Sequence, residues 1–315
     1  MHPAYSVILF TTASGAGYGL LAAMAYFAAI EALPPHRWFG VTAFAIAFAL
    51  IVTGLVSSTF HLGRPDRAWR AFSQWRSSWL SREGIVAMAT FGPALLFAWG
   101  WVVEGSTGSF WRFAGVAAAA LAILTVYCTG MIYATLRTIR AWFNPYTVFV
   151  YLAFAAFTGS LWLNFLGHAF GLHRPSFDVA CLVAGAAVFL LKRKYWMFID
   201  ISPSWVPVEN ATGLTDLGKV RLLDNPSTQE TYIQTEMGYR IARKHATTLR
   251  KYAFLGYFGV PLIVGLLILD SEPPIAIPGS LLMLLSGMLG TVIERWLFFA
   301  EAKHVAALYF GAEDS

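Results

Sequence analysis

Between His61 and Glu83 the chain reads HLGRPDRAWRAFSQWRSSWLSRE, and this stretch concentrates the residue types that could do chemistry. It carries five arginines (Arg64, Arg67, Arg70, Arg76, Arg82), three tryptophans (Trp69, Trp75, Trp79), one histidine and one glutamate. Long apolar runs flank it. His61 closes one run and Glu83 opens the next, so an antiparallel helix pair would bring both side chains to one membrane depth. An ionisable group at the edge of hydrocarbon is costly and points to function. A histidine titrates near neutral pH, and a carboxylate can accept or relay a proton. Together they suit a substrate that exchanges two electrons and two protons, such as a quinone. Arg64 would stabilise charge on a quinone oxygen or orient Glu83, and Trp79 joins them as an expected quinone contact. A plainer reading stands beside this one: Glu83 pairs with Arg82 or Arg64, and the stretch is a surface anchor.

On a helical wheel Trp69, Phe72, Trp75 and Trp79 fall within about 120° of arc. That predicts an amphipathic helix lying in the membrane interface, aromatics inward and guanidiniums outward.

The surrounding elements are read from composition. Of 315 residues, 57% are hydrophobic and 12% charged, against about 25% charged in a soluble domain. Apolar runs of roughly twenty residues are the length that crosses a bilayer. The expected fold is an all-α integral membrane protein with eight transmembrane helices. The spans are expected near Ser6–Ile30, Trp38–Phe60, Gly84–Val103, Arg112–Leu136, Tyr146–Phe170, Phe177–Leu191, Tyr252–Leu269 and Ile275–Phe299. The N-terminal run lacks a basic flank and is too long for a signal peptide, so it is read as the first span. Residues 1–191 then hold six spans, 192–251 a docking loop, and 252–315 the last two spans and a tail.

Lys and Arg set the orientation. Nineteen of the 22 fall on the side that holds both termini and the 61–83 stretch; only Arg37, Arg112 and Arg174 fall opposite. Both termini are therefore expected in the cytoplasm. Basic residues thicken again in EMGYRIARKHATTLRKY, which reads as a helix leading into the seventh span.

Other motifs carry less. Gly15 and Gly19 share a helix face and would allow close helix packing; no strand precedes them, so SGAGYG is not a nucleotide loop. Cys128 and Cys181 each lie in an apolar run and read as small buried hydrophobes. Haem b needs two histidines at one depth, and His168 lies at the end of its span opposite to His61, so no haem is expected. No Cys/His cluster suits zinc. Glu294 and Arg295, late in the eighth span, read as a structural pair. With no internal redox ligands, electrons would pass between a quinone near the cytoplasmic face and a docked partner that holds the donor or acceptor centre. A nucleic-acid partner is not expected.

The block SSTFHLGRPDRAWRAFSQWRSSWLSREG, with H-L-G-x-P at His61–Pro65 and S-x-E at Ser81–Glu83, resembles the membrane-anchor subunits of the dimethyl sulfoxide reductase family, as does the eight-span plan. The resemblance implies an anchor in the bacterial cytoplasmic membrane that binds ubiquinone or menaquinone. It implies partners too: an iron–sulfur subunit and a molybdopterin catalytic subunit. The family's quinol-site histidine and glutamate match His61 and Glu83. The N-terminal segment and the 211–246 loop look like the branch that includes anchors of cytoplasmic sulfite dehydrogenases, which pass electrons to quinone instead of taking them from quinol. A passive membrane tether and a small-solute transporter remain the rival readings.

Overall fold

The computed structural model describes residues 4–60, 64–201, 206–224, 229, 241–269 and 271–310. Among these, eight helical segments are long and apolar enough to cross a membrane. They are α1 (Tyr5–Ala29), α2 (Arg37–Ser57), α3 (Trp79–Val102), α4 (Ser109–Ala134), α5 (Thr147–Ala169), α6 (Pro175–Ile201), a broken seventh span and an eighth. A short helix α7 (Val208–Thr212) precedes the seventh span. That span joins α8 (Ile241–Phe254) through a π turn (Leu255–Gly259) to α9 (Val260–Ile268), and α10 (Pro273–Ala300) is the eighth.

The π turn has a local cause. Pro261 has no N–H to give the preceding turn. The Gly256 carbonyl takes its bond from Ser286 Oγ of α10 at 3.0 Å instead. Gly256 and Gly290 abut there, so a Cβ at Gly256 would meet the Gly290 backbone at 2.8 Å.

α1 is the bundle's central strut, packed on α2, α4, α5 and α10. A Cβ at Gly17 would lie 2.7 Å from the Ala47 carbonyl of α2, and Gly19 seats directly on Ala155 and Gly159 of α5. Residues two apart point to roughly opposite sides of a helix, so each glycine admits a different neighbour. The expected Gly15–Gly19 contact face is not the one used, because nothing approaches the Gly15 position.

Two boundaries differ from the sequence expectation. The sixth span does not stop at Leu191. Lys192 is fully buried and 2.7 Å from Glu294, so its charge has a partner inside the bundle, and the helix continues to Ile201. The supposed 192–251 loop thus loses its first ten residues to α6, and from Ile241 onward it belongs to α8. The third span starts five residues early, at Trp79. The Arg82 guanidinium donates to the carbonyls of Trp75 and Arg76 at 2.9 and 2.8 Å, tying down the turn that enters α3.

One face of the bundle collects the ends of α2, α4, α6 and α10 and the starts of α1, α3 and α5. Ser57 Oγ donates to the Ser6 carbonyl, Trp142 Nε1 to the Phe298 carbonyl and Val305 N to the Thr138 carbonyl. The Tyr309 hydroxyl donates to the Ala211 carbonyl, fastening α7 to the C-terminal segment. On the opposite face Arg112 pairs with Glu31 at 2.7 Å and Trp101 donates to the His36 carbonyl.

Candidate functional site

The expected interfacial α-helix is a 3-10 helix, Pro65–Gln74. With three residues per turn, Trp69, Phe72 and Trp75 fall into one row. All three are largely exposed, and Phe72 reaches Gly84 of α3. Arg70, Arg76 and Arg82 lie over the rings of Trp69, Trp75 and Trp79 at 5.6, 5.3 and 4.3 Å. Trp79 opens α3 and packs edge-on against Tyr127 of α4. Arg64 is an exposed N-cap residue with no ion pair to Glu83 among the described residues. His61 lies outside the described residues.

Glu83 is not at the helix edge. It sits a full turn inside α3, 4% exposed, with no cation paired to it among the described residues. Its Oε1 accepts from the Thr129 hydroxyl of α4. That hydroxyl also lies 3.1 Å from the Thr125 carbonyl. One proton faces two acceptors. With Glu83 ionised, Thr129 donates to it; with Glu83 protonated, the carboxyl can donate to Thr129, which turns back to its own helix. Thr129 can therefore partner either protonation state of this buried carboxyl. One turn along α4, Thr125 continues the row and lies 3.5 Å from Thr90 of α3.

Thr129 also lines a small cavity between α1, α4, α5 and α10, together with Thr11, Thr12, Ser14, Tyr151 and Arg295. Its volume is about 10 Å³, room for a single water. The buried Tyr151 hydroxyl lies beside Arg295 and Tyr133, and neither it nor Arg295 Nη1 has an aligned hydrogen bond. Arg295 Nε lies 3.0 Å from Glu294 Oε2, and Lys192 Nζ 2.7 Å from Glu294 Oε1. These approaches are ion contacts rather than aligned hydrogen bonds, since Lys192 Nζ and both Glu294 oxygens also lack a bond of proper angle. Two cations and one anion are thus fully buried. Glu294 and Arg295 do form the pair expected of them, with Lys192 as an unforeseen third member.

Val126 and Ala155 separate this cavity from a larger crevice of about 340 Å³ between α1, α4, α5 and α6. Its walls are nearly all carbon, its rim includes the exposed Tyr26 and Ile123, and Tyr18 contributes a buried hydroxyl that lies near Thr125 without an aligned bond. Cys128 and Cys181 are buried free thiols, as expected.

Just beyond α10, Glu301 bonds Arg250 at 2.8 Å, and Arg250 reaches Asp200 at 2.7 and 3.0 Å. Burial pushes the Glu301 carboxyl above the usual range, outweighing the downward pull of Arg250 and Lys192.

Sequence reasoning singled out Glu83 and missed Thr129, Tyr151 and Tyr18. The one available signal was the four-residue spacing of Thr125 and Thr129, which puts two hydroxyls on one helix face.

Eight apolar spans around a buried carboxyl and a charged helix junction define a polytopic membrane protein with a polar site set in its interior. The model of the DMSO reductase anchor subunit family, DmsC, matches residues 1–300, and the chain belongs to that family. It is also similar to a sulfite dehydrogenase subunit of Allochromatium vinosum, with 32% identity covering 98% of this chain and 99% of that one.

Proposed function

We propose that this chain is the quinone-reactive membrane anchor of a molybdopterin oxidoreductase, exchanging electrons with a docked iron–sulfur subunit. The observation that carries the proposal is Glu83: a buried carboxyl with a hydroxyl partner and no cation among the described residues, beside a cavity that presents donors without an aligned bond. The carbon-lined crevice fits the apolar body and tail of a quinone, and the Tyr18 hydroxyl on its wall fits a carbonyl oxygen; Tyr151 and Arg295 lie beyond Val126 and Ala155, in the water-sized cavity between the crevice and Thr129. A bound quinone supplies a two-electron, two-proton couple. Glu83 exchanges a proton with it, and Thr129 keeps the carboxyl satisfied before and after. His61, from the same stretch of sequence, is the second proton-exchanging group, and Arg64 and Trp79 are further quinone contacts on that side of Glu83.

The likeness to a sulfite dehydrogenase subunit favours electron flow toward quinone, with Glu83 as proton donor; the reverse direction uses the same residues. The excess of Lys and Arg on the face that carries the 3-10 helix supports that face toward the bacterial cytoplasm, where the iron–sulfur and molybdopterin subunits would dock. Titration of the assembled complex with a fluorescent quinone-site inhibitor tests the site. The expected result is saturable, quinone-competed binding that weakens at least about tenfold in Tyr18→Phe or His61→Ala, the loss expected for one hydrogen bond to a charged or buried partner. Equal quinone-competed binding in wild type and both variants would overturn the site assignment, and no quinone-competed binding in the wild type would leave a passive tether.

A further inference from the structure

At the face opposite the 3-10 helix, the α5–α6 hairpin gathers His168, His173 and Asp178. Their ligand-type atoms all lie within 4.8 Å of one another. The turn that does this is legible. Gly171 takes φ +67°, Gly171 N bonds the His168 carbonyl at 3.2 Å, and Leu172 N bonds the Gly167 carbonyl at 2.8 Å. This is a Schellman ending, and it folds the chain back over the last turn of α5. His173 then stacks on His168, ring centroids 3.8 Å apart and planes 13° from parallel. Asp178, in the first turn of α6, is fully buried beneath both.

The bonding within the group is incomplete. Asp178 accepts from Asn164 Nδ2 at 2.9 Å and shares a proton with His173 Nε2 at 2.6 Å. His168 Nε2 approaches the same carboxylate at 3.8 Å, too far for a hydrogen bond. It is buried with no other partner, on a residue 8% exposed. A buried imidazole nitrogen that faces a buried carboxylate at 3.8 Å without bonding it, with a second imidazole stacked alongside, is a donor set suited to a cation.

We propose that His168, His173 and Asp178 form a binding site for a divalent first-row transition ion, of which Zn²⁺ is the probe. Two imidazoles and one carboxylate match a borderline ion and not the hard, all-oxygen preference of Mg²⁺ or Ca²⁺. Three ligands leave a fourth position for water. In a tetrahedral site with bonds of about 2.0–2.1 Å, ligand atoms lie about 3.3 Å apart. The 3.8 Å between His168 and Asp178 is close to that. The 2.6 Å between His173 and Asp178 is a proton's distance, so the ion replaces that proton and His173 swings outward out of its stack. His173 is the member able to move, being in the turn with its side chain 20% exposed. The bound ion would staple α5 to α6 across the Schellman turn. This site lies apart from Glu83 and does not rest on the quinone reading.

The test uses the full chain in nanodiscs, purified without a polyhistidine tag and stripped with chelator. Calorimetric titration with Zn²⁺ is expected to give one ion per chain, and Co²⁺ the visible bands of a low-coordinate site. Zn²⁺, but not Mg²⁺, should raise the thermal transition. His173→Ala and Asp178→Asn are expected to weaken Zn²⁺ binding at least about 100-fold, at or beyond the upper end of losses for outer-sphere partners. Because His173→Ala also removes the bond to buried Asp178, its metal-free thermal transition should fall; His173→Gln, which can keep a hydrogen bond to Asp178 without an imidazole, should lose Zn²⁺ binding as fully, so loss of binding there reports loss of a ligand. No stoichiometric Zn²⁺ on the wild type, or unchanged affinity in the variants, would overturn the proposal and leave the group a hydrogen-bonded clamp on the hairpin.

Discussion

At the scale of single residues, burial decides how each polar group behaves. Thr129 is the only hydroxyl bonded to the Glu83 carboxyl among the described residues. Replacing it with valine keeps the shape and removes the bond, leaving a buried acid unsatisfied. Thr129→Val should cost about 1–3 kcal/mol of stability, the usual penalty for an orphaned buried polar group, read as a lower thermal transition of the purified chain. Glu301 gives a pH dependence of known sign. Its carboxyl is pushed up by burial, so the folded state prefers the neutral acid. Its contribution is fully present below the ordinary carboxylate pKa and is lost as pH rises through the raised value. The wild type should therefore lose stability relative to Glu301→Gln as pH is raised from about 4 toward neutrality, followed by thermal transitions at each pH. A gap between the two proteins that stays constant across that range would refute the sign. Residues such as Thr129 are hard to find in the sequence for a physical reason. Thr12, Ser14, Thr125 and Thr158 all donate to a carbonyl four residues back, so a hydroxyl inside a span normally satisfies itself and advertises nothing. Glu83 cannot do this, which is why it stands out.

At the scale of elements, close backbone approach fixes the bundle more tightly than the oily side chains do. Gly19 and Gly159 touch across α1 and α5, while Gly15 faces open space. Gly19→Leu should force the helices apart and cost about 1–3 kcal/mol or more, the range for overpacking, whereas Gly15→Ala should leave the thermal transition unchanged or raise it slightly. Equal effects of the two changes would contradict this packing. The apolar lengths of the spans are legible in the sequence because bilayer thickness sets them, but their ends are not. Lys192 reads as a terminator until Glu294, about a hundred residues away, is known to pair with it. Likewise the spacing of His168, His173 and Asp178 hides a cluster, because a five-residue step brings side chains together only after the chain reverses at Gly171. Depth along a span, the guide used to judge the histidines for haem, says nothing about such a reversal.

At the scale of the whole molecule, polarity is sorted by face and by depth. The arginine–tryptophan pairs of the 3-10 helix, the Arg250–Asp200–Glu301 cluster and the buried Lys192–Glu294–Arg295 junction all belong to the half of the bundle where Glu83 lies. The other face keeps the His168–His173–Asp178 group and the Arg112–Glu31 pair. The Lys and Arg asymmetry predicts that reporter enzymes fused to either terminus will be active only as cytoplasmic fusions; a periplasmic signal at either end would reverse the docking face. The central claim is that Glu83 exchanges the proton that accompanies electron transfer to quinone. It is tested most directly by comparing, in one assembled complex, turnover coupled to quinone with turnover coupled to a soluble acceptor that bypasses the anchor. Glu83→Gln should lower the quinone-coupled rate by about 10²–10⁴, the span of a lost acid–base group, while the soluble-acceptor rate stays at the wild-type value and Glu83→Asp recovers part of the loss. Undiminished quinone turnover in Glu83→Gln would contradict the claim.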